Sequence, residues 1–369
     1  MNNKREIKVI AFYLPQYHPT SDNDLWWGKG FTEWTNVGKA KPLFWRHYQP
    51  KVPGDLGYYD LRLPEIREAQ AELAKEAGID GFCYYHYWFG NGKQELELPF
   101  NEVLKSGKPD FPFCLCWANE SWSKKFWNKD GSVVQTRTKL LIEQKYLGVA
   151  DDESHFYSLL PAFKDSRYMK IDNKPIFVIY RPLTFPNISE FIEHWNSLAR
   201  QNGLDGIYFI GFTPNADNEG GIILKYGFDA VISSRLRSNI SKGIKRYVRK
   251  FMSIFFHTPR RDSYKEMIPK FVTELERNNP KYIPTLFPNW DHTPRSGVNG
   301  YVLTDSTPEL FHKHCIDVLS SVVCKDSKEK ICFIKSWNEW GEGNYMEPDL
   351  KFGKGYIEAL KRALDYVCK

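Results

Sequence analysis

The feature that most constrains the fold of this 369-residue chain is a set of short, β-rich apolar segments separated by helical patterns. The eight segments are residues 7–14, 81–85, 113–117, 176–180, 207–211, 230–233, 282–287 and 331–336. Most of them are continuously apolar, as expected for strands that are covered on both faces. Strands that alternate with helices predict a parallel sheet. Eight such units favour a single (β/α)₈ TIM barrel, of class α/β, over residues 1–369, with an open doubly wound sheet as the alternative.

Two of the helical patterns have ends that can be recognised in the sequence. Pro64 suits the first position of a helix, and Gly78 suits its left-handed end. Ser306 is predicted to cap a later helix, which carries Phe311 and Cys315 on its apolar stripe. The predicted helices therefore fill the intervals between the predicted strands.

Two connections are too long to be simple turns. They cover residues 15–63 after the first strand and about 119–151 after the third. Both leave the carboxyl ends of strands, where barrel active sites are built. Ten of the 12 tryptophans fall at or beyond such strand ends, in a chain whose aromatic fraction is 16%. This distribution predicts an aromatic binding surface at that end of the barrel.

A basic insertion is predicted at about residues 233–265, after the sixth strand. Between Arg235 and Arg261 the sequence has nine basic residues and no acidic one, whereas the net charge of the whole chain is +6. One interpretation is a solvated helical insertion, and the other is a contact with an anionic glycan or a membrane surface. The mild overall charge does not indicate a nucleic-acid partner.

The remaining composition favours a globular protein of the reducing cytoplasm. Hydrophobic residues make up 42% of the chain, and its seven cysteines suit neither a disulfide framework nor a zinc site. The first residues are polar, and no apolar run approaches the length of a membrane span. No phosphate-binding glycine loop follows a strand, and we expect no cofactor and no metal. The oligomeric state stays open.

The end of the eighth strand carries the strongest chemical signal. It leads into the sequence SWNEWGEG at residues 336–343, in which Glu339 and Glu342 lie three residues apart among tryptophans and glycines. Cleavage of a glycosidic bond needs one acid at the leaving oxygen and a second group at the sugar ring. Two carboxylates in close contact would also raise the pKa of one of them. The alternative is a polar rim in which Glu342 caps a helix.

Five motifs resemble those of the WbsX-type family. They are AFYLPQYHP at 11–19, WWGKGFTEW at 26–34, GFCYYHYW at 81–88, CWANE at 116–120 and WNEWGEG at 337–343. Members of this family occur with functions of bacterial surface-polysaccharide biosynthesis and are commonly labelled glycosyltransferases. The last motif is also similar to that of family 99 glycoside hydrolases, (β/α)₈ endo-acting mannosidases and mannanases.

The hydrolase resemblance implies a role for each carboxylate. It implies that Glu339 deprotonates or orients the sugar 2-hydroxyl, which is thought to act as the internal nucleophile. It implies that Glu342 is the general acid and base, giving retention without a covalent enzyme intermediate. This chain has Gly341 where those hydrolases commonly have a histidine, so the sugar that is recognised stays open.

Aromatic, amide and charged side chains beyond the other strand ends suit the faces and hydroxyls of sugar rings. Each of them could instead be a packing residue of the barrel rim, and Glu120 could be a third carboxylate in the chemistry. The predicted substrate-binding residues are Tyr13, Gln16, Tyr17, Trp27, Glu33, His86, Tyr87, Trp88, Trp117, Asn119, Glu120, Arg181, Trp290, Asp291, Trp337 and Asn338.

Three functions follow from these residues. The favoured one is a retaining glycoside hydrolase or transglycosidase acting on a bacterial surface polysaccharide, with Glu339 and Glu342 as the catalytic pair. A sugar-nucleotide-dependent glycosyltransferase is the alternative, for which Asp22, Asn23 and Asp24 provide a weak acid-x-acid signal. A carbohydrate-binding barrel without catalysis is the third.

Overall fold

The structure, a computed structural model, describes residues 5–127, 133–236, 255–256, 258–326 and 330–368. Its centre is a closed barrel of eight parallel strands, so the predicted barrel is confirmed and the open sheet is wrong. The barrel strands are β1 (Ile7–Tyr13), β2 (Gly81–Trp88), β3 (Phe113–Trp117), β4 (Lys174–Ile179), β5 (Tyr208–Thr213), β6 (Ala230–Ser233), β7 (Tyr282–Leu286) and β8 (Lys330–Ile334). Each strand pairs with the next in sequence, and β8 closes the barrel by pairing with β1.

A helix follows each strand and packs outside the barrel. These helices are α1 (Pro64–Ala77), α2 (Leu98–Ser106), α3 (Val149–Lys164), α4 (Ile188–Gln201), α5 (Ala216–Lys225), α6 (Glu274–Asn278), α7 (Pro308–Val323) and α8 (Gly355–Val367). Successive residues of a strand point to opposite faces, so alternate side chains face the barrel axis. Phe12 faces inward, where its ring contacts Phe212 and Phe333 at centroid distances of 6.0 and 5.2 Å. Its neighbour Tyr13 therefore faces the helices.

The helix ends agree with the sequence in one case and differ in the other. Pro64 opens α1, and Gly78 ends it with φ of +82°. The predicted cap Ser306 is wrong by one residue, because Thr307 has the extended backbone and its side chain accepts from the Leu310 N–H. The Ser306 hydroxyl instead donates to the Leu303 carbonyl.

Both predicted long connections carry short secondary structure of their own. The first contains helices Ser21–Trp27 and Glu33–Gly38, and the second contains an antiparallel pair, Trp122–Trp127 with Val133–Ile142. Shorter elements lie elsewhere in the described residues. They are strands Gln94–Glu95, Lys170–Ile171, Arg260–Ser263, Tyr301–Thr304, Asn338–Glu339 and Asn344–Tyr345, helices Tyr264–Met267 and Thr293–Ser296, and 3₁₀ turns Pro182–Thr184, Ile268–Lys270, Gly297–Asn299 and Trp340–Glu342.

Most of the predicted basic insertion lies outside the described residues, which omit 237–254 and 257. The part that is described corrects one expectation. Arg235 is not a solvated charge, because its side chain is 1% exposed and its guanidinium binds Asp217 and Glu276. Arg260 and Arg261 are exposed on a strand that pairs with Tyr301–Thr304.

All seven cysteines lie within the described residues, and each is a free thiol. Within the described ranges, no helix combines the length and the apolar character that crossing a bilayer would require.

Candidate active site

The two candidate catalytic carboxylates follow β8 on a short, firmly anchored hairpin. Asn338–Glu339 pairs with Asn344–Tyr345 around a single 3₁₀ turn. The hairpin is fastened to the end of β1, because Asn338 Oδ1 accepts from the Leu14 N–H at 2.7 Å and its Nδ2 donates to the Leu14 carbonyl at 3.0 Å. The local sequence thus holds Glu339 and Glu342 at the carboxyl end of the barrel.

The pair opens into a cavity of about 310 Å³. Its wall combines aromatic rings with charged groups, which is the composition expected of a site for a polar ring molecule. The lining residues are Leu14, Gln16, Tyr85, Tyr87, Ala118, Glu120, Ser121, Trp122, Tyr180, Arg295, Lys335, Glu339 and Glu342.

A second cavity of about 310 Å³ continues from the first and shares Gln16 and Arg295 with it. Trp27 and Phe31 stack there at a centroid distance of 5.7 Å. Its other lining residues are Glu33, Asn36, Lys39, Ser123, His292 and Ser296. We call the two cavities together the catalytic cleft.

Two cations, Lys335 and Arg295, contact the carboxylates at the bottom of the cleft. Lys335 Nζ donates to Glu339 Oε1 at 3.1 Å and to the Tyr85 hydroxyl at 2.8 Å. Arg295 Nη1 donates to Glu342 Oε1 at 2.7 Å and lies 3.9 Å from Glu339 Oε2. Its Nε donates to Glu33 Oε1 at 2.8 Å. Arg295 is therefore the common partner of three carboxylates.

Both carboxyl groups lie beside Arg295 Nη1, and their pKa values move apart. Burial and the neighbouring Glu342 raise the pKa of Glu339 to about 7. Burial also acts to raise the pKa of Glu342, but Arg295 and His292 outweigh it and hold that pKa well below its ordinary range. Below neutral pH the proton that the unliganded pair retains therefore lies on Glu339.

Because Gly341 has no side chain, the Glu33 carboxylate can lie close to the turn that carries Glu339 and Glu342. A Cβ atom on residue 341 would lie 1.5 Å from Glu33 Oε1 and 3.1 Å from Arg295 Nε. No side chain fits there while Glu33 and Arg295 keep their contact. Gly341 thus makes room for the partly buried ion pair between Glu33 and Arg295.

Beyond the carboxylate pair, the structure brings five of the predicted sugar contacts to the cleft. They are Gln16, Trp27, Glu33, Tyr87 and Glu120. Arg181 stands behind Glu120, with its Nε donating to Glu120 Oε1 at 2.6 Å. Both side chains of this pair are about two-fifths exposed, so the pair can exchange partners when a ligand enters.

Four predicted contacts near β1 and β8 lie behind the cleft and are held by other parts of the protein. They are Tyr13, Tyr17, Trp337 and Asn338, whose amide binds Leu14 as described above. Tyr13 faces α1 and donates to Gln70 Oε1 at 2.6 Å. The Tyr17 hydroxyl donates to the Asn338 carbonyl, and Trp337 is fully buried. None of these side chains lines the cleft, because the strand alternation and the hairpin point them away from the barrel mouth.

Three predicted contacts pack around His155 of α3, outside the barrel. His86 Nε2 lies 2.8 Å from His155 Nε2, and the Trp88 ring stacks on His155 at 4.6 Å. Trp117 meets the same imidazole edge-on and donates to the Trp88 carbonyl at 2.9 Å. The structure does not bring these three side chains to the cleft.

The other predicted contacts support the rim of the barrel. Asn119 binds the backbone of Arg181 through both its amide nitrogen and its oxygen. Trp290 is 3% exposed and belongs to a separate apolar cluster. Asp291 accepts from Gln49, and its backbone N–H donates to the Glu342 carbonyl at 2.7 Å, so it positions the catalytic turn without lining the cleft.

Sequence reasoning missed several residues of the cleft. Arg295 and His292 come from the connection after β7, where no local pattern marked them. Lys335 directly follows the apolar run of β8, and its position at the strand end was a usable signal. Tyr85 faces the same side of β2 as the predicted Tyr87, so the alternation alone could have identified it.

Comparison with known proteins identifies the family. The family model described as Glycosyltransferase WbsX matches residues 9–360. Uncharacterized protein WxcX of two strains of Xanthomonas campestris pv. campestris is 33% identical over 361 residues, which are 96% of this chain and 49% of that protein. The chain therefore spans about half the length of these relatives. It belongs to the WbsX family.

Two solved structures share the fold at low sequence identity. The GH99 endo-α-mannosidase of Bacteroides thetaiotaomicron is 17% identical with a TM-score of 0.55, covering 97% of this chain and 95% of that one. A structure described as a glycoside hydrolase-like protein is 16% identical with a TM-score of 0.59, covering 99% and 95%. Both agree with the TIM barrel described above.

Proposed function

We propose that this member of the WbsX family is a retaining glycoside hydrolase or transglycosidase that acts on a bacterial surface polysaccharide, such as an O-antigen, capsule or exopolysaccharide. The observation that carries the proposal is that Glu339 and Glu342 lie beside the same Arg295 Nη1 and line one cleft with aromatic rings. Such a pair supplies the acid and the second carboxylate that glycosidic cleavage requires. The description of one fold relative as an endo-α-mannosidase agrees with a glycan substrate.

The proposed reaction keeps one proton on the carboxyl pair at every stage. The sugar 2-hydroxyl gives its proton to Glu339 while its oxygen attacks C1, and Glu342 protonates the departing glycosidic oxygen. Water or an acceptor hydroxyl then gives a proton to Glu342 and opens the three-membered ring at C1. Glu339 returns its proton to the sugar oxygen. Two inversions at C1 give overall retention.

These reaction steps start with the proton on Glu342, whereas the unliganded carboxyl pair holds it on Glu339. We propose that a bound sugar moves the proton from Glu339 to Glu342, both of which lie beside Arg295 Nη1. Glu339 is then a carboxylate that can accept the proton of the sugar 2-hydroxyl. Lys335, at 3.1 Å, stabilises the carboxylate that this transfer creates.

The test uses Glu339→Gln and Glu342→Gln with fragments of the surface polysaccharide made by the source bacterium. Each change keeps the shape of the side chain and removes the proton transfer, so turnover should fall by about 10²–10⁴. Glu309→Gln, an exposed residue of α7, is the matched control and should retain full activity. Proton NMR of the first product should show the anomeric configuration of the substrate. Full turnover in both cleft variants, or an inverted product, would refute the proposal.

A glycosyltransferase is the second candidate, because the description of the family favours it. Of the Asp22, Asn23 and Asp24 signal, Asp22 is paired with Lys93, and Asp24 accepts from the Gly30 N–H. Calorimetry with a panel of nucleotide sugars and Mn²⁺ separates the two candidates. Saturable binding would support the transferase, and its consistent absence together with cleavage of the polysaccharide would support the hydrolase. A binding barrel without catalysis would hold the fragments and leave them intact on prolonged incubation.

We also propose a location in the reducing cytoplasm, which the seven free thiols support. Thiol labelling of the protein in intact cells tests this location, because a cytoplasmic protein is protected from reagents that do not cross membranes.

A further inference from the structure

A third cavity, of about 450 Å³, lies between the loop that follows β1 and the segments that follow β7 and β8. It adjoins the turn that carries Glu342, because Asp291 and Tyr345 line it. None of its lining residues lines the catalytic cleft. We propose that this cavity is a second carbohydrate site, which binds a sugar unit bearing a negatively charged group.

Aromatic rings form one part of the wall. Phe44, Tyr48, Phe352 and Tyr356 line the cavity, and Trp45 stands at the same loop with 90% of its surface exposed. The faces of such rings pack against the C–H surfaces of pyranose rings. A sugar that covered Trp45 would remove a large apolar surface from water.

Cations form another part of the wall. Arg46, Arg261 and Lys351 line the cavity. The Arg261 guanidinium lies 4.4 Å from the centre of the Phe44 ring, and the Lys351 ammonium lies 4.5 Å from that of Tyr48. In the part of the chain that the structure describes, none of the three has a carboxylate oxygen within 4.0 Å.

The acidic groups of the cavity do not cancel this charge. The Asp291 carboxylate is already bound, because His47 Nε2 lies 2.7 Å from its Oδ2 and Gln49 Nε2 donates to the same oxygen at 2.6 Å. Asp305 is the other acidic residue of the wall and is exposed at its edge. Lys51 adds a buried cation, whose Nζ donates to the Gly343 carbonyl at 3.3 Å. The cavity therefore has an excess of positive charge.

The loop that carries Trp45 and Arg46 is held in one shape. Arg46 has φ of +61°, a left-handed conformation that side chains other than glycine and asparagine rarely adopt. Two hydrogen bonds of His47 hold this loop. Its Nδ1 accepts from the Leu43 N–H at 3.0 Å, and its backbone N–H donates to the Phe44 carbonyl at 3.1 Å. An aromatic ring and a cation are thus presented side by side before any ligand arrives.

A sugar ring with a carboxylate or phosphate would pack against the aromatic rings and pair with the cations of the wall at the same time. A neutral sugar would leave the cations without a partner, and a simple anion would leave the rings uncovered. The acidic group can come from a uronic acid or from a sugar phosphate. Both carry an anionic group on a sugar ring. A long acidic polysaccharide could place one unit here and another in the catalytic cleft.

Calorimetry and tryptophan fluorescence test the site on the full chain. The probes are tetragalacturonate for the carboxylate, glucose 1-phosphate for the phosphate and maltotetraose as the neutral control. At least one acidic probe should bind saturably and weaken as salt rises from low to moderate ionic strength, whereas maltotetraose should bind more weakly than that probe. Whichever acidic probe binds identifies the source of the charge.

The variants separate this site from the cleft. Arg261→Gln combined with Lys351→Gln should weaken the acidic probe about tenfold, the sum of two modest ion pairs. Trp45→Ala should weaken it and abolish the fluorescence change. Arg362→Gln, an exposed residue of α8, is the matched control and should bind as the wild type does.

Glu342→Gln should bind the probe unchanged, so that failure of the proposed reaction and failure of this site are distinguishable. The proposal is overturned if neither acidic probe binds, if the double variant binds the probe with full affinity, or if maltotetraose binds equally well. Displacement of the bound probe by vesicles of anionic lipid, combined with no effect of Trp45→Ala, would point to a membrane surface and would also overturn it.

Discussion

Replacement of Gly341 by alanine is the perturbation whose cost can be worked most directly from the structure. The new Cβ would lie 1.5 Å from Glu33 Oε1, whereas ordinary contacts between such atoms begin above 3.4 Å. The carboxylate must therefore move by about 2 Å, which breaks its bond to Arg295 Nε at 2.8 Å. Loss of a hydrogen bond to a charged group costs about 1.5–3 kcal/mol.

We therefore expect Gly341→Ala to lower the free energy of unfolding by about 1.5–3 kcal/mol, the contribution of the hydrogen bond that is lost. A double-mutant cycle with Glu33→Ala isolates the cause, because the alanine at 341 then meets no carboxylate. In that background the cost of Gly341→Ala should fall to less than about 1 kcal/mol. Urea unfolding, followed by fluorescence, measures all four proteins of the cycle.

Gly221→Ala is the matched control for this cycle. Gly221 lies within α5, and a Cβ atom there would meet nothing within 4 Å. Helix propensity predicts that this change is neutral or stabilises the protein by up to about 1 kcal/mol. The reasoning is refuted if Gly341→Ala costs no more than the control, or if its cost is the same with and without the Glu33 carboxylate.

Three further predictions need no substrate. Burial raises the pKa of Glu347 to about 7, above the 4.5 of an ordinary glutamate, so the folded protein binds this proton more tightly than the unfolded chain. As the pH rises from 4.5 to 8, the free energy of unfolding of the wild type should therefore fall by about 3 kcal/mol more than that of Glu347→Gln. Urea unfolding measures both proteins. An equal dependence of the two free energies on pH would contradict this prediction. Arg295→Gln should raise the pKa of Glu342, because the guanidinium holds it low; carboxyl-carbon NMR titration measures it, and an unchanged value argues against the assignment. Asn338→Ala should destabilise the fold by about 2–5 kcal/mol, since two backbone groups of Leu14 lose their partners; thermal unfolding at wild-type temperature would disprove it.

The barrel could be predicted from the sequence because its signal is local and repeated. Each strand is an apolar run bounded by helix signals, and all eight predicted segments coincide with barrel strands. The cap at Thr307 differs by one residue from the predicted Ser306, since two adjacent hydroxyl residues offer the same signal and only the backbone conformation chooses between them.

The sugar contacts were predicted less well, because position after a strand does not say which way a side chain points. His86 and Trp88 lie on β2 with Tyr87, and Trp117 ends β3 just before Glu120, yet all three face the helices and surround His155. Tryptophan content was similarly ambiguous, because a large indole ring serves a buried core as well as a binding surface. Trp27 and Trp122 line the cleft, while Trp195, Trp337 and others are buried.

The sequence by itself determined the barrel, the carboxylate motif at the end of β8 and the family to which the chain belongs. These depend on local patterning and on residues adjacent in the chain. Only the tertiary structure decided that Arg295 reaches three carboxylates from the connection after β7 and that Glu33 occupies the space left by Gly341. Those contacts join residues hundreds of positions apart or on the connections that follow two neighbouring strands. Their charges set the pKa of each carboxylate, which no pattern along the chain encodes.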